Sequence, residues 1–274
     1  MPPNEAAFAV AARNYSYEKG AGTAARDRSV PIETPVNFVY AGVPFAVMVA
    51  SPGDLEDFAL GFSLTEGIID KAGDLRAVEI ERGAKGIVLR IALKGDSLRT
   101  HLARSRAISG RTGCGLCGID DLANLPAMRP LPPRPPVAPA AIRRALSELE
   151  RAQPLNDATH AVHAAGWFAL DGSLVALRED VGRHNALDKL IGALAKASAS
   201  PDHGFFVITS RCSFEMVAKA AWFGASTLVS ISAPTSLAIE RARECGMTIL
   251  GVARADSALL FTAGADPAQG GLAA

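Results

Sequence analysis

The sequence predicts an α/β protein in two parts, in which a smaller N-terminal α+β domain precedes a C-terminal domain with a mostly parallel sheet and covering helices. In the second half, short apolar runs of strand length alternate with longer runs of helical periodicity, which is typical of strands joined through helices. In the first half, two strand-like runs flank a glycine turn and precede one helical segment. Seven prolines between Pro126 and Pro139 separate the halves, and proline is disfavoured in helix interiors and inner strands.

These boundaries divide the 274 residues into four segments. Residues 1–29 are polar and rich in alanine and glycine, so we expect a flexible N-terminus there. Residues 30–125 form the small α+β domain, which ends in a cysteine loop. The stretch 126–139 is interpreted as an extended linker, although it is also compatible with a strap over the surface of a single domain. Residues 140–274 form the C-terminal domain.

Local patterns predict the elements of the N-terminal domain. Residues 36–40 and 45–49 are two short strands, and Ala41-Gly42 between them indicates a hairpin. A helix begins after Asp54, because apolar residues recur at helical spacing beyond it. Further strands are predicted at 77–81 and 87–93.

The C-terminal domain alternates between the two element types. Helices are predicted at 142–152, 185–197, 214–223 and 237–245. Strands are predicted at 166–170, 174–178, 205–209, 227–232 and 248–253. In such sheets, ligands bind where the carboxyl ends of the strands meet the N-termini of helices.

Composition narrows the functional class. Formal net charge is zero, which disfavours a general polyanion binder such as a duplex DNA protein. The N-terminus lacks a basic region followed by an apolar core, and no stretch approaches the ~20 apolar residues that span a bilayer. Four cysteines and no export signal favour the reducing cytoplasm. We therefore expect a cytoplasmic protein with no nucleic-acid or membrane partner.

The most informative stretch is the glycine-rich run 110–118, which contains Cys114 and Cys117. Its four glycines remove covering side chains from the two thiols. Arginines precede the pair, and no acid lies between Asp96 and Asp120. A positive field of this kind lowers a thiol pKa from about 8.5 and favours the nucleophilic thiolate.

Several roles for this cysteine pair compete. A disulfide staple is disfavoured in a chain without signs of secretion. A structural zinc site needs four ligands, and the remaining cysteines, Cys212 and Cys245, are isolated in sequence. A thioredoxin-type redox pair follows a strand and opens a helix, whereas this run fits a mobile loop better. We favour a swinging nucleophilic thiol and expect no bound metal, with metal and redox roles left as alternatives.

Three polar loops are predicted at the carboxyl edge of the C-terminal sheet, at 178–185, 209–213 and 232–236. Arg211 beside a helix N-terminus is well placed to bind a phosphate group. Each loop also has a purely structural interpretation, because Asp180, Ser213 and Thr235 are all good helix caps. The density of polar groups favours a cradle for a nucleotide or a pterin phosphate.

Five segments of the sequence form a recognisable set. They are 58–69 (FALGFSLTEGII), the cysteine run 110–118, 179–189 (EDVGRHNALDK), 210–219 with Ser210, Arg211, Ser213, Glu215 and Lys219, and 232–238 (SAPTSLA). Together they resemble the formate dehydrogenase accessory sulfurtransferase family, FdhD, and the match runs in order from about residue 30 to residue 262.

This resemblance implies a sulfurtransferase with a cysteine persulfide intermediate. The family takes persulfide sulfur from a cysteine desulfurase and passes it to the molybdenum bis(molybdopterin guanine dinucleotide) cofactor, which formate dehydrogenase needs for activity. Cys114 then carries the persulfide, and Cys117 releases or relays the sulfur or is dispensable. The resemblance also implies a cytidine-deaminase-like C-terminal domain and a homodimer. The zinc signature of the deaminases is absent, so deamination is not expected.

The resemblance, together with the sheet-edge logic, implies a set of residues that bind the guanine dinucleotide. These are His163, Asp180, Gly182, Arg183, His184, Ser210, Arg211, Pro234, Thr235, Val252, Ala253, Arg254, Ala255, Asp256 and Ser257. Two positions depart from the family pattern, since His160 replaces a glycine and Ser257 replaces a common arginine. The alternative function is a non-catalytic chaperone that holds the cofactor for formate dehydrogenase. A metal-binding nucleotide hydrolase is a third, weaker alternative.

Overall fold

The computed structural model describes residues 6–18, 20–95 and 128–264. Its strands are β1 Ala7–Ser16, β2 Gly20–Pro31, β3 Thr34–Tyr40, β4 Val43–Ala50, β5 Leu75–Gly83, β6 Gly86–Leu93, β7 His163–Ala169, β8 Leu174–Asp180, β9 Gly204–Ile208, β10 Thr227–Ser230, β11 Thr248–Gly251 and β12 Leu259–Thr262. Its helices are α1 Leu55–Thr65, α2 Pro139–Arg151, α3 Pro154–Thr159, α4 Arg183–Lys196, α5 Phe214–Phe223 and α6 Ser236–Cys245. Two short 3₁₀ turns lie at Ala72–Asp74 and Pro201–His203.

The N-terminal segment, which was expected to be flexible, contains two strands that the sequence analysis did not predict. Strands β1 and β2 form a long antiparallel hairpin, from the pair Ala7 and Pro31 to the pair Ser16 and Gly20. The side chains of residues 8–15 are all exposed, so backbone hydrogen bonds rather than burial define this ribbon. A ribbon without a buried face has no alternating hydrophobic pattern, and the sequence analysis therefore missed it.

The N-terminal domain is confirmed as a small α+β unit. Its four strands are ordered β4-β3-β6-β5, and β3 and β4 form the predicted hairpin. Ala41 and Gly42 at its tip have φ values of 48° and 84°, as a tight hairpin turn requires. Helix α1 covers one face of the sheet, where Phe58 and Phe62 pack against Phe38 of β3.

The α/β class of the second half is confirmed, with a mixed sheet. The six strands are ordered β12-β11-β10-β9-β7-β8, and only the pairs β9–β10 and β10–β11 are parallel. The pairs β7–β8, β7–β9 and β11–β12 are antiparallel. The sheet is less parallel than predicted, because β7 and β8 are joined by a short turn through Gly172 and because β12 was not predicted.

Helices cover both faces of this sheet. Trp167, Phe206 and Ile208 face the core formed with α4, α5 and α6. The alternate residues of the same strands, including Phe168 and Val207, face the core that α2 closes. Every predicted element is present with its ends within three residues of the expected positions, and β1, β2, α3 and β12 were not predicted.

The two parts of the chain are in close contact where α1 crosses α4. Gly61 and Gly192 lie at the crossing, and a Cβ atom on Gly61 would fall 1.7 Å from the carbonyl oxygen of Asp188. Trp222 packs against the cores of both parts. Only residues without side chains allow helices to approach so closely, so the crossing depends on the two glycines.

The described part of the proline-rich stretch, residues 128–138, lies as a strap over the second part. Leu131 is buried, and its N–H donates to the Cys245 carbonyl at 2.8 Å. Arg134 donates to the carbonyls of Pro201 and Gly224 and forms an ion pair with Asp202. Residues 128–138 therefore pack on the surface of the second part. None of the helices described in the chain combines the length and apolarity needed to cross a membrane.

Candidate functional site at the sheet edge

The larger sheet brings the predicted loops to one edge. His163 at the start of β7 pairs with Asp180 at the end of β8, and Ala165 pairs with Ile208 near the end of β9. The carboxyl ends of β10 and β11 lie further along the same edge, because both strands are parallel to β9. The loops that follow β8, β9, β10 and β11 therefore share this edge with the start of β7, as the sequence analysis expected.

Asp180 is the buried anchor of the first loop. It has no exposed surface, and its Oδ2 atom lies 2.6 Å from Nζ of the equally buried Lys189. Oδ1 accepts hydrogen bonds from the Gly182 N–H and from the Asn185 side chain, and Oδ2 accepts one from the Ser51 N–H. The carboxylate is fully occupied by these contacts, so Asp180 shapes the loop and ties it to the N-terminal domain rather than presenting itself to a ligand.

Arg183 and His184 begin α4 beside the first turn of α5. His184 Nε2 lies 3.4 Å from Glu215 Oε2, which also accepts a hydrogen bond from Ser213 Oγ at 2.7 Å. Burial acts to raise the pKa of Glu215, but the contacts with His184 and Ser213 outweigh it and the pKa is lowered. Arg183 Nε and His184 Nε2 are buried atoms without a well-formed hydrogen bond to any described residue.

His163 faces this cationic group from the start of β7. Burial lowers the pKa of His163, the charges of Arg183 and His184 lower it further, and Asp180 raises it. The imidazole is therefore neutral at neutral pH, and it can both donate and accept a hydrogen bond. His160, which stands where the resembling family has a glycine, is exposed and has a φ of 52°, a left-handed conformation that favours glycine.

The second and third loops are joined to one another. The Cys212 N–H donates to the Ala233 carbonyl, and the Thr235 N–H donates to the Cys212 carbonyl. Thr235 also caps α6, since its side chain accepts from the Ala238 N–H at 3.4 Å. Ser210 is buried and Arg211 is exposed, so of these two only the arginine is open to a ligand.

A fourth loop, which follows β11, carries backbone strain. Val252 has a φ of 53°, which is a true outlier for a β-branched residue. Hydrogen bonds from Val252 N–H and Ala253 N–H to the carbonyls of Ser232 and Ser230 hold this conformation. The chain then turns so that Arg254 Nη1 donates to the Ile231 and Ala253 carbonyls, at 2.6 and 2.8 Å. Strain of this type concentrates at functional sites.

A cleft of about 1050 Å³ opens between α2 and this edge of the sheet. Four of the predicted binding residues line it, namely His163, Ala253, Arg254 and Ala255. The others do not line it, namely Asp180, Gly182, Arg183, His184, Ser210, Arg211, Pro234, Thr235, Val252, Asp256 and Ser257. The cleft is large for a small-molecule site, and its size suits a ligand as large as a nucleotide.

Sequence reasoning missed the wall of the cleft that α2 forms. Arg143, Ser147 and Arg151 line it at intervals of four residues, on the side of the helix away from its buried residues. A signal was present, because the buried Ala145 and Leu149 define the core face and leave the arginines on the other side. What the sequence did not indicate is that Arg143, Ser147 and Arg151 also border a cleft.

The cysteines fall into two groups. Cys114 and Cys117 lie outside the described residues. Cys212 and Cys245 are buried and free, and burial raises the pKa of their thiols to about 12 and about 11 respectively. Neither buried thiol is a nucleophile at neutral pH, since the thiolate is the reactive form.

The chain is similar to known proteins over most of its length. Residues 31–266 match the sequence model of the FdhD/NarQ family. The chain belongs to this family. It is 45% identical over 251 residues to the sulfur carrier protein FdhD of Xanthomonas axonopodis pv. citri (strain 306), an alignment that covers 91% of this chain and 89% of that protein.

Two further relatives extend the comparison. The sulfur carrier protein FdhD of Bordetella petrii is 44% identical over 242 residues, which covers 88% of this chain and 87% of that protein. A crystal structure from Desulfotalea psychrophila, described as a candidate formate dehydrogenase accessory protein, superposes with a TM-score of 0.74 at 26% identity. That superposition covers 94% of this chain and 97% of the other, so the family fold extends over nearly the whole chain.

Proposed function

We propose that this protein is a sulfur carrier that accepts persulfide sulfur from a cysteine desulfurase on Cys114. It passes the sulfur to the molybdenum bis guanine dinucleotide cofactor, which a formate dehydrogenase then requires. The names of the relatives support the carrier role, and the family's accessory relationship to formate dehydrogenase supports the client. We further propose that it acts in the cytoplasm as a homodimer.

The observation that carries this proposal is the state of the other cysteines. The sequence has four cysteines, and a carrier needs a thiolate that a large donor protein can reach. Cys212 and Cys245 have raised pKa values and at most 2% exposure, which removes them as carriers. The thiols of the glycine-rich run are the remaining candidates.

The loading step is a thiol exchange. The Cys114 thiolate attacks the terminal sulfur of the donor persulfide, the donor sulfur–sulfur bond breaks, and the donor cysteine leaves as a thiolate. Cys114 now bears the persulfide. If Cys117 attacks the inner sulfur of this persulfide, a Cys114–Cys117 disulfide forms and hydrosulfide leaves, so the two thiols supply the two electrons that reduce the carried sulfur.

The cleft at the sheet edge is the proposed site for the guanine dinucleotide cargo. His163 and Arg254 lie on its sheet side, where a neutral imidazole and a fixed guanidinium are suited to a base edge and a phosphate respectively. Arg183 adds positive charge beside His163, and this charge helps to lower the pKa of that histidine. This field favours an anionic ligand over a neutral one.

Intact-protein mass spectrometry after incubation with a cysteine desulfurase and cysteine tests the carrier role. Wild type is expected to gain sulfur that a thiol reductant removes, and Cys114→Ala is expected to gain none. Cys117→Ala is expected to load, because one thiol suffices to carry the sulfur. Cys245→Ala is the matched control, since it removes a buried thiol.

The outcomes separate carrier from chaperone. Equal loading of wild type and Cys114→Ala would move the carrier to another cysteine. If the protein that lacks both loop thiols still matures formate dehydrogenase, the non-catalytic cofactor-binding chaperone is the correct function.

A further inference from the structure

Helix α2 contributes two arginines without ion-pair partners among the described residues to the lining of the cleft. Arg143 and Arg151 both line it and are exposed, and neither forms an ion pair with any described residue. They are eight residues apart, which is about 12 Å along a helix at 1.5 Å per residue. Ser147 lies on the same stripe midway between them and adds a hydroxyl.

A neighbouring arginine on the same helix, Arg144, differs from these two because it has carboxylate partners. Arg144 donates to Glu148 at 2.9 Å and to Asp171 at 3.0 Å. Glu148 also accepts from the Leu174 N–H, and this bond and Arg144 lower its pKa. The charges of this group satisfy one another, so Arg144 and Glu148 contribute little net field to the cleft.

The remaining charges of the cleft are mostly positive. Arg143 and Arg151 on α2 share the lining of the cleft with Arg254 on the loop after β11, whose Nη1 donates to two carbonyls. Glu150 is the one carboxylate of the described lining that lacks an ion-pair partner. Three guanidinium groups against one free carboxylate favour a ligand with more than one negative charge, and guanidinium is the side chain best shaped to bind phosphate oxygens in pairs.

We propose that α2 is a phosphate-binding wall, on which Arg143 and Arg151 bind the phosphate groups of a guanine nucleotide held in the cleft. This inference rests on the proposed function for the identity of the nucleotide. It adds α2, which neither the sequence motifs nor the family resemblance assigned, as the side of the cleft that recognises the phosphates. On the sheet side, His163 then receives the base, and Arg254 adds a phosphate contact to those of α2.

Calorimetric titration of the full chain with GDP and, separately, with guanosine tests this assignment. Arg143→Ala and Arg151→Ala are each expected to raise the Kd for GDP about three- to tenfold, the effect of losing a partly solvated charge-assisted contact. Neither substitution changes guanosine binding, because guanosine has no phosphate. Glu150→Gln is expected to tighten GDP binding, since it removes the one opposing charge. Arg243→Ala, which removes an exposed arginine of α6 outside the cleft lining, is the matched control.

Each outcome decides the inference. A selective loss of GDP affinity in the α2 variants supports it, and partial retention by Arg143→Lys, which keeps the charge, supports it further. If the α2 variants bind GDP as the Arg243→Ala control does, or lose guanosine affinity equally, α2 does not recognise phosphate. If wild type binds no GDP, the inference is overturned together with the proposed cargo, whereas sulfur loading on Cys114 is read separately by mass and decides the carrier role.

Discussion

Replacing Gly61 by alanine is expected to destabilise the protein, although a glycine-to-alanine change inside a helix normally stabilises. The new Cβ would lie 1.7 Å from the Asp188 carbonyl oxygen and 2.9 Å from the Gly192 nitrogen. Ordinary van der Waals contact begins at 3.4 Å, so α1 and α4 would have to separate by up to 1.7 Å, the difference between 3.4 and 1.7. Both nearest atoms are backbone, and no rotamer change relieves the clash.

The expected loss of stability follows from the overpacking at the helix crossing and from the hydrogen bonds that the separation would weaken. Overpacking of a core costs about 1–3 kcal/mol. Asp188 also accepts hydrogen bonds from Thr65 on α1 and Lys219 on α5, and loss of one or two such bonds costs about 1–2 kcal/mol more. Alanine recovers about 1 kcal/mol of helix propensity relative to glycine. The free energy of unfolding is therefore expected to fall by about 1–4 kcal/mol.

Equilibrium urea denaturation, followed by the fluorescence of Trp167 and Trp222, measures this change. Gly192→Ala is expected to lower the free energy of unfolding in the same way, because its Cβ would lie 1.9 Å from the Asp57 carbonyl oxygen. Gly73→Ala is the control, since its Cβ would meet nothing closer than 3.9 Å, and it should be neutral or slightly stabilising. A rise in stability of about 1 kcal/mol for Gly61→Ala would show that propensity dominates and that the helices do not cross as described.

Three further predictions concern buried charges and thiols. Lys219→Met removes the cation bound to Asp188 and Glu66 and should lower the free energy of unfolding by about 3–5 kcal/mol. The double variant with Asp188→Asn should recover much of this in the same denaturation assay, and no recovery would mean that charge pairing is not the cause. With a chromogenic thiol reagent at pH 8, the native protein should react rapidly at two cysteines and the unfolded protein at four, because Cys212 and Cys245 are buried. Rapid reaction of all four cysteines in the native protein would contradict this burial. Finally, burial raises the pKa of Cys212 above its ordinary value of 9.0. The buried thiol therefore contributes its full stability at pH values below 9.0, and this contribution is lost as the pH rises above 9.0. At pH 10.5, which is 1.5 units higher, the loss should reach about 2 kcal/mol at 1.36 kcal/mol per unit, and Cys212→Ala should flatten this alkaline decline in urea midpoints.

Much of the fold could be predicted because its signals are local. The hairpin at Ala41-Gly42 follows from the positive φ values that such a turn needs. The run from Phe58 to Phe62 shows its buried face by its spacing. The string 179–189 indicated the family from residues alone, and the match over residues 31–266 confirms it. The β1–β2 ribbon was missed because a strand pair exposed on both faces leaves no hydrophobic period in the sequence.

The candidate site was also only partly predictable from the sequence. The sequence indicated which loops carry polar groups, and the sheet brings those loops to one edge. It did not distinguish Asp180, which is buried against Lys189 and Ser51, from Arg254, which lines the cleft. Both were equally plausible ligand contacts as residue types. Their roles differ because Ser51 approaches from 129 residues away in the chain.

By itself, then, the sequence determined most of the element types and the family, and it predicts the two thiols that carry sulfur, since each depends on residue identity and short-range spacing. The tertiary structure alone decided which polar groups are buried, which thiols are inert and that the free face of α2 is a wall of the cleft. These properties depend on contacts between segments distant in sequence. Helical periodicity shows which side of a helix is polar, but only the packing of α2 over the sheet brings Arg143, Arg151 and Arg254 into the lining of one cleft.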